Sequence, residues 1–232
     1  MRLVKLLANL GYGSRKEMQL AIRNGWVTDR DGNRLKADSK TAHDDILFDD
    51  EPLDPAQGVV ILMNKPVGYT CSAKDQGRLV YDLLPVRFRI RKPALSTIGR
   101  LDKETSGLLL FTDDGTFLHK VISPKSEVPK VYDVALDRPM TGTEAELFAS
   151  GEMMLESEEK PLKPAELDVI DATNARLTLH EGRYHQVRRM FAATGNHVTG
   201  LRRSRVGALG LDGVDEGSWK VLSADDKAQI FS

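Results

Sequence analysis

The 232-residue chain has one cysteine, Cys71, so no internal disulfide can form and a reducing compartment suits it. It has no long apolar run. The longest, VVILM at 59–63 and LLLF at 108–111, fall far short of the about 20 residues that cross a bilayer. The start, MRLVKLLANLGYGSRK, is broken by Lys5 and Asn9, which removes the apolar stretch of a secretory leader. These absences predict a cytoplasmic protein with no membrane association. Aromatic residues make up only 6%, and there is no repeat or low-complexity tract. Net charge is also nearly absent: 33 Lys and Arg stand against 34 Asp and Glu, leaving −1. Bulk electrostatics therefore announce no polyanionic partner. With 41% apolar and 29% charged residues, the chain can still bury a sizeable core without staples.

The charges are nevertheless unevenly placed. Residues 1–40 carry nine Lys and Arg against four acids, and residues 41–57 carry six acids and no Lys or Arg. Between positions 182 and 211 lie six arginines, two histidines and no acid. Two separate basic clusters point toward a polyanion.

At the start, Leu3, Leu6, Leu7 and Leu10 form a helical stripe that breaks at Gly11-Tyr12-Gly13. Ser14 followed by Glu17 is a capping box opening a helix with Met18, Ala21 and Ile22 inward. Trp26 to Thr28, a turn over 29–33, and Arg34-Leu35 predict a short hairpin. Lys5, Arg15, Lys16 and Arg23 fall on exposed faces. EPLDPAQG at 51–58 has the proline and glycine content of a flexible linker. Beyond it, VVILM, LLLF, KVYDVAL at 130–136 and ARLTLHEG at 175–182 read as strands, with helices after Gly115, over 143–150, and through RYHQVRRMFAATGN. Many strands, few helices and no regular alternation predict an α+β fold with a mixed, mainly antiparallel sheet. The division expected is a small domain over 1–57 and a larger one over 58–232.

Several chemistries are disfavoured by spacing. His180, His185, His197 and Cys71 lack metal-ligand spacing, so no metal is expected. Thr105-Ser106-Gly107 lacks the glycine pattern of a nucleophile elbow, and Asp113-Asp114-Gly115 is too short for a calcium loop. Glu104 offers Asp102 a second carboxylate, but the surrounding arginines speak against a neutral sugar.

RLVKLL followed by GYGSRKEMQLAIRNGWVTDRDG resembles the RNA-binding module named after ribosomal protein S four, although Val4 stands where that module usually has an acid. NKPVGYTCS at 64–72, GRLD at 99–102, Lys130-Val131-Tyr132 and EGRYHQVRRM at 181–190 together resemble the motif set of the pseudouridine synthases, in the branch that carries such an N-terminal module. The resemblance implies an isomerase that converts uridine to pseudouridine in RNA with no organic or metal cofactor. Its implied substrate is 16S ribosomal RNA, free or within a partly assembled small subunit, and the enzyme would work as a monomer. The alternatives are action on 23S ribosomal RNA and a non-catalytic ribosome assembly factor.

The same resemblance assigns residues. Asp102 is the implied essential carboxylate, attacking either the uracil ring or the sugar. It must be ionised, so a cation should sit beside it, and Arg188 is the implied partner. Tyr132 offers a flat ring for uracil, and its phenol is a poor base near neutrality. Arg100 would fill the gap left by a flipped nucleotide, with Gly99 letting the backbone come close. Lys5, Arg15, Lys16, Arg23, Lys65, Lys130, Arg183, His185, Gln186, Arg189, Arg202 and Arg203 are the expected RNA contacts.

Overall fold

A computed structural model describes residues 2–72 and 76–232, which form two compact units. The first comprises residues up to 60 together with 84–96 and 112–115; the second holds the remainder. Among the described residues no helix is long and apolar enough to cross a membrane.

In the first unit, α1 (Leu3–Leu10) buries Leu3, Leu7 and Leu10 and stops at Gly11, whose φ of 92° is left-handed. A side chain there would meet the Arg87 carbonyl oxygen at 2.4 Å, so only glycine fits. Helix α2 (Arg15–Asn24) opens on the expected capping box: Glu17 N–H donates to Ser14 Oγ at 3.3 Å, and Ser14 N–H to Glu17 Oε2 at 2.6 Å. These bonds favour the ionised form and hold the Glu17 carboxyl below its ordinary range. Met18, Ala21 and Ile22 join the leucines of α1 around Val27 and Ile46.

The expected hairpin forms only in part. Thr28 makes a single bridge to Arg34, because Asp29 folds the intervening turn around its own carboxylate, accepting from Asp31 N–H, Asn33 N–H and Asn33 Nδ2. The main partner of β1 (Val27–Asp29) is β2 (Ile46–Phe48), antiparallel, followed by β3 (Glu51–Pro52). The apolar residue that seals this sheet is Ile46, which lies within the stretch of acids.

The stretch that reads as a flexible linker is instead clasped. Arg87, from α3 (Val86–Arg89), binds both oxygens of Asp54 at 2.6 and 3.1 Å and lies over the Tyr12 ring. The Tyr12 hydroxyl accepts from Asp54 N–H at 2.9 Å. Arg91 donates to the carbonyls of Pro55 and Ala56 and to Asp113 Oδ2 at 3.0 Å, while Asp113 Oδ1 accepts from Gly58 N–H at 2.7 Å. The Arg91 and Asp113 side chains are each 1% exposed. Asp113, just ahead of the helix that starts at Gly115, is also a buried counter-ion.

The second unit is built on a sheet of order β11-β4-β6-β10-β7-β9-β8, with β5 (Ser96–Ile98) paired to β6. The strands are β4 (Val60–Lys65), β6 (Ser106–Thr112), β7 (Lys130–Leu136), β8 (Glu166–Val169), β9 (Asn174–Leu179), β10 (Val198–Val206) and β11 (Trp219–Val221). Strand β10 runs parallel to β6 and antiparallel to β7; β7–β9, β8–β9 and β4–β11 are antiparallel. The sheet is therefore mixed and mainly antiparallel, as the sequence predicts. Helices α4 (Gly115–Ile122), α5 (Glu144–Ala149), α6 (Gln186–Ala193) and α7 (Ala224–Gln229) complete the chain. Val187, Met190 and Phe191 of α6 pack with Phe148 of α5 against Val134, Leu136, Leu177 and Leu179. Phe148 and Phe191 meet edge to face at 5.2 Å.

Asp113→Asn leaves the buried Arg91 guanidinium without its counter-charge. Removing one partner of such a pair costs about 3–5 kcal/mol, so the urea midpoint of the variant should fall steeply. A variant that unfolds with the parent would show that the clasp contributes nothing to stability.

Candidate active site

The GRLD loop joins β5 to β6 and contains little apolar surface, so polar contacts must order it. Gly99 has φ of 71°, and nothing crowds the position of a Cβ, so its requirement is conformational. Leu101 is buried, its N–H on Cys71 Sγ at 3.4 Å and its carbonyl accepting from the thiol at 3.3 Å. Burial pushes the Cys71 thiol pKa up, which suits this role as a neutral hydrogen-bonding group.

From Asp102 onward every backbone carbonyl of the turn is held. Thr105 N–H donates to Asp102 O at 3.1 Å, and Gly68 N–H to Lys103 O at 2.8 Å. Lys65 Nζ donates to Thr105 O at 2.7 Å, Pro66 O at 3.0 Å and Lys103 O at 3.4 Å. Arg188 Nη2 donates to Glu104 O at 3.0 Å, and its Nη1 to Val198 O at 2.9 Å. The Asp102 side chain remains 36% exposed, with His185 Nε2 at 3.3 Å from its Oδ1.

Two of these contacts correct expectations. Lys65, expected to touch RNA, is wholly buried under the loop. Burial lowers its ammonium pKa, while the negative charges of Glu104 and Asp102 pull it back. Among the described residues Arg188 makes no ion pair with Asp102; its guanidinium is taken up by two carbonyls, and the group that meets the carboxylate is the imidazole of His185.

A cavity of about 460 Å³ opens beside Asp102 and is lined also by Arg100, Lys130, Tyr132, Arg183, Tyr184, His185, Gln186 and Arg203. Arg188 and Arg202 line a separate cavity of about 690 Å³ with Glu104, Asp133 and His197. Lys130 and Tyr132, two apart on β7, both face the 460 Å³ cleft. Strand β10 brings the parts together: Arg203 lies opposite Tyr132 on one side and Gly107 on the other. A Cβ at Gly107 would stand 2.2 Å from the Arg203 carbonyl oxygen, so this glycine allows the close approach.

Other expected RNA contacts are already engaged. Arg203 is buried, its Nε on Leu108 O at 2.8 Å. Gln186 is buried between Arg183 N–H and Glu181. Arg183 pairs with Glu158 and Glu181, and Arg189 with Glu158 and the Glu156 carbonyl. The run without acids is acid-free only along the chain, since residues 156–158 fold back onto it. Arg183 and Arg189 therefore hold structure and are not free phosphate ligands. Arg100, in contrast, is exposed, and no hydrogen-bond or ion-pair partner meets its guanidinium among the described residues.

A family model described as RNA pseudouridylate synthase matches residues 59–193. The chain belongs to that family. It is 40% identical over 237 residues to the ribosomal small subunit pseudouridine synthase A of Yersinia pestis, covering 99% of this chain and 98% of the relative. Identity to the protein of that description in Escherichia coli K12 is 39%, over 99% of this chain and all of the relative. For Haemophilus influenzae it is 38%, with 97% of each covered. A crystal structure of a pseudouridylate synthase superposes with a TM-score of 0.69 at 36% identity, with 99% of both chains covered.

Lys130 supplies a test by pH. Burial, and then the positive charges of Arg203 and Lys163, lower its pKa from 10.5 to about 8. Between those values the unfolded chain holds more protons than the folded one, so this group makes the fold more stable as pH rises. Lys130→Met removes that gain. Urea unfolding at about pH 7 and about pH 9.5 should show wild type gaining on the variant as pH rises; parallel curves would place the ammonium in water.

Proposed function

We propose that this protein converts one uridine of 16S ribosomal RNA to pseudouridine, with Asp102 as the reacting carboxylate. The observation that carries the reading is the 38–40% identity, over nearly the whole chain, to ribosomal small subunit pseudouridine synthases A. It is supported by an exposed carboxylate on an otherwise immobilised turn, beside a cleft that also holds a tyrosine and a free arginine.

The isomerisation balances within one nucleotide. The bond from sugar carbon 1′ to ring nitrogen 1 breaks, a bond from carbon 1′ to ring carbon 5 forms, carbon 5 gives up a proton and the nitrogen takes one. No oxidant, reductant or second substrate enters. Asp102 attacks the sugar or the uracil ring, since a carboxylate serves as nucleophile in either route. Tyr132 stacks on the uracil, and Arg100 occupies the space the nucleotide leaves. Arg188 acts through the backbone at Glu104, fixing the turn that presents the carboxylate. One chain carries all of these groups, so the monomer is the working unit.

Residues 1–57 serve in this reading as an RNA anchor. Lys5, Arg15, Lys16 and Arg23 are exposed and have no acidic partner among the described residues. They are free to replace counterions on phosphates. Asp54, Pro55 and Ala56 bind Arg87 and Arg91, so substitution tests the anchor more cleanly than truncation.

Mapping of pseudouridine in cells lacking the protein should reveal one lost site, in 16S ribosomal RNA. A loss confined to 23S RNA would reassign the substrate, and no loss would favour an assembly factor. Asp102→Asn should bring turnover below detection while RNA binding persists; near-normal pseudouridine formation would remove Asp102 from the chemistry. Changing Lys5, Arg15, Lys16 and Arg23 together to Ala should weaken binding and flatten its salt dependence by about 0.7–0.9 in log–log slope for each phosphate no longer neutralised. An unchanged slope would sink the anchor.

A further inference from the structure

Tyr184 is 75% exposed, lines the same cleft as Asp102, and has no part in the mechanism above. Single exposed aromatics are common on protein surfaces and call for no explanation by themselves. What distinguishes this one is how firmly its backbone and inner face are held.

On one flank, Arg183 N–H donates to Gln186 Oε1 at 2.9 Å, and the Arg183 guanidinium is tied to Glu158 and Glu181. On the other, the Tyr184 carbonyl accepts from Arg189 Nη1 at 3.2 Å, and that same nitrogen pairs with Glu158 at 2.7 Å. The inner face of the ring is covered by the His185 imidazole, with centroids 3.8 Å apart and planes 18° from parallel. His185 reaches this position only by adopting left-handed backbone, φ 49° and ψ 32°, which costs a residue with a side chain on the order of 1 kcal/mol. Its opposite edge meets Asp102 at 3.3 Å. A chain of contacts thus leads from the carboxylate through the imidazole to a flat, rigid ring whose outer face is open to solvent.

We propose that the outer face of Tyr184 is a second base-binding subsite, on which a nucleobase flanking the target uridine stacks. The proposal rests on the RNA pseudouridine synthase reading and extends it from the reacting nucleotide to its neighbour. When a nucleotide leaves its helical stack, an adjacent base loses a partner. An aromatic platform restores about 1–3 kcal/mol per base and does so without reading base identity. Tyrosine provides that area with only two side-chain torsions to fix.

The experiment uses the full-length protein and a 16S ribosomal RNA transcript. Tyr184→Trp places an indole on the platform, and the transcript should quench it beyond the change seen in wild type, which carries Trp26 and Trp219. Filter binding should show Tyr184→Ala about tenfold weaker, and Tyr184→Phe, which keeps the ring, close to wild type. No added quenching, or an Ala variant that binds like wild type, would overturn the subsite. Both readouts are of binding. A wild-type protein that binds the transcript but forms pseudouridine neither on it nor on a partly assembled small subunit would therefore count against the function and leave the stacking result to be judged separately.

Discussion

A lysine ammonium shut away from water sets the geometry of the cleft. Lys65 ends β4 and reaches under the turn after GRLD, where its Nζ meets the carbonyls of Pro66, Lys103 and Thr105. The turn bears Arg100, Asp102, Lys103 and Glu104 and has only Leu101 to bury, so apolar packing cannot fix it. Hydrogen bonds to a charged donor are worth about 1.5–3 kcal/mol each. In the low dielectric under the loop, several of them offset the cost of desolvating the cation. Arg188 completes the arrangement from α6 by holding Glu104 O. The consequence is a carboxylate that projects from a backbone with little freedom to move, which is what positioned chemistry requires.

The sheet carries that order to the opposite wall. Arg203 lies in register with Gly107, just after the turn, and with Tyr132. The absent side chain at Gly107 lets β10 press against β6, so one strand fixes the tyrosine relative to the loop. The side chain of Arg203 is itself spent on Leu108 O.

The elements legible in the sequence are those whose signals are local. The Ser14–Glu17 capping box, the continuous apolar strands around 60 and 110, and the alternation of KVYDVAL all fold as their patterns predict. Strand β10 is hidden because register shifts at 198–200 and 203–205 break its period, and its arginines read as RNA contacts. The cleft is legible as a set of residues, since Asp102, Tyr132, Arg100 and Lys130 do meet there. Their individual duties are not. Whether a cation faces RNA or a carbonyl depends on contacts far apart in sequence: Lys65 with Thr105, Arg188 with Glu104, Arg203 with Leu108. The Asp102–His185 contact has no signature in spacing at all.

This division of the cations bears on how affinity and chemistry are shared. Around the cleft most arginines are committed: Arg183 and Arg189 to Glu158, Arg188 and Arg203 to carbonyls. Each such bond has already replaced water around its guanidinium, so an approaching phosphate would first have to break it. The cations on α1 and α2 have no such engagement and can exchange counterions for phosphate directly. In the proposed reading, non-specific attraction to RNA is therefore drawn from the N-terminal helices. The cleft keeps its positive charge for shape, holding Asp102, Tyr132 and the exposed Arg100 where a single nucleotide can reach them.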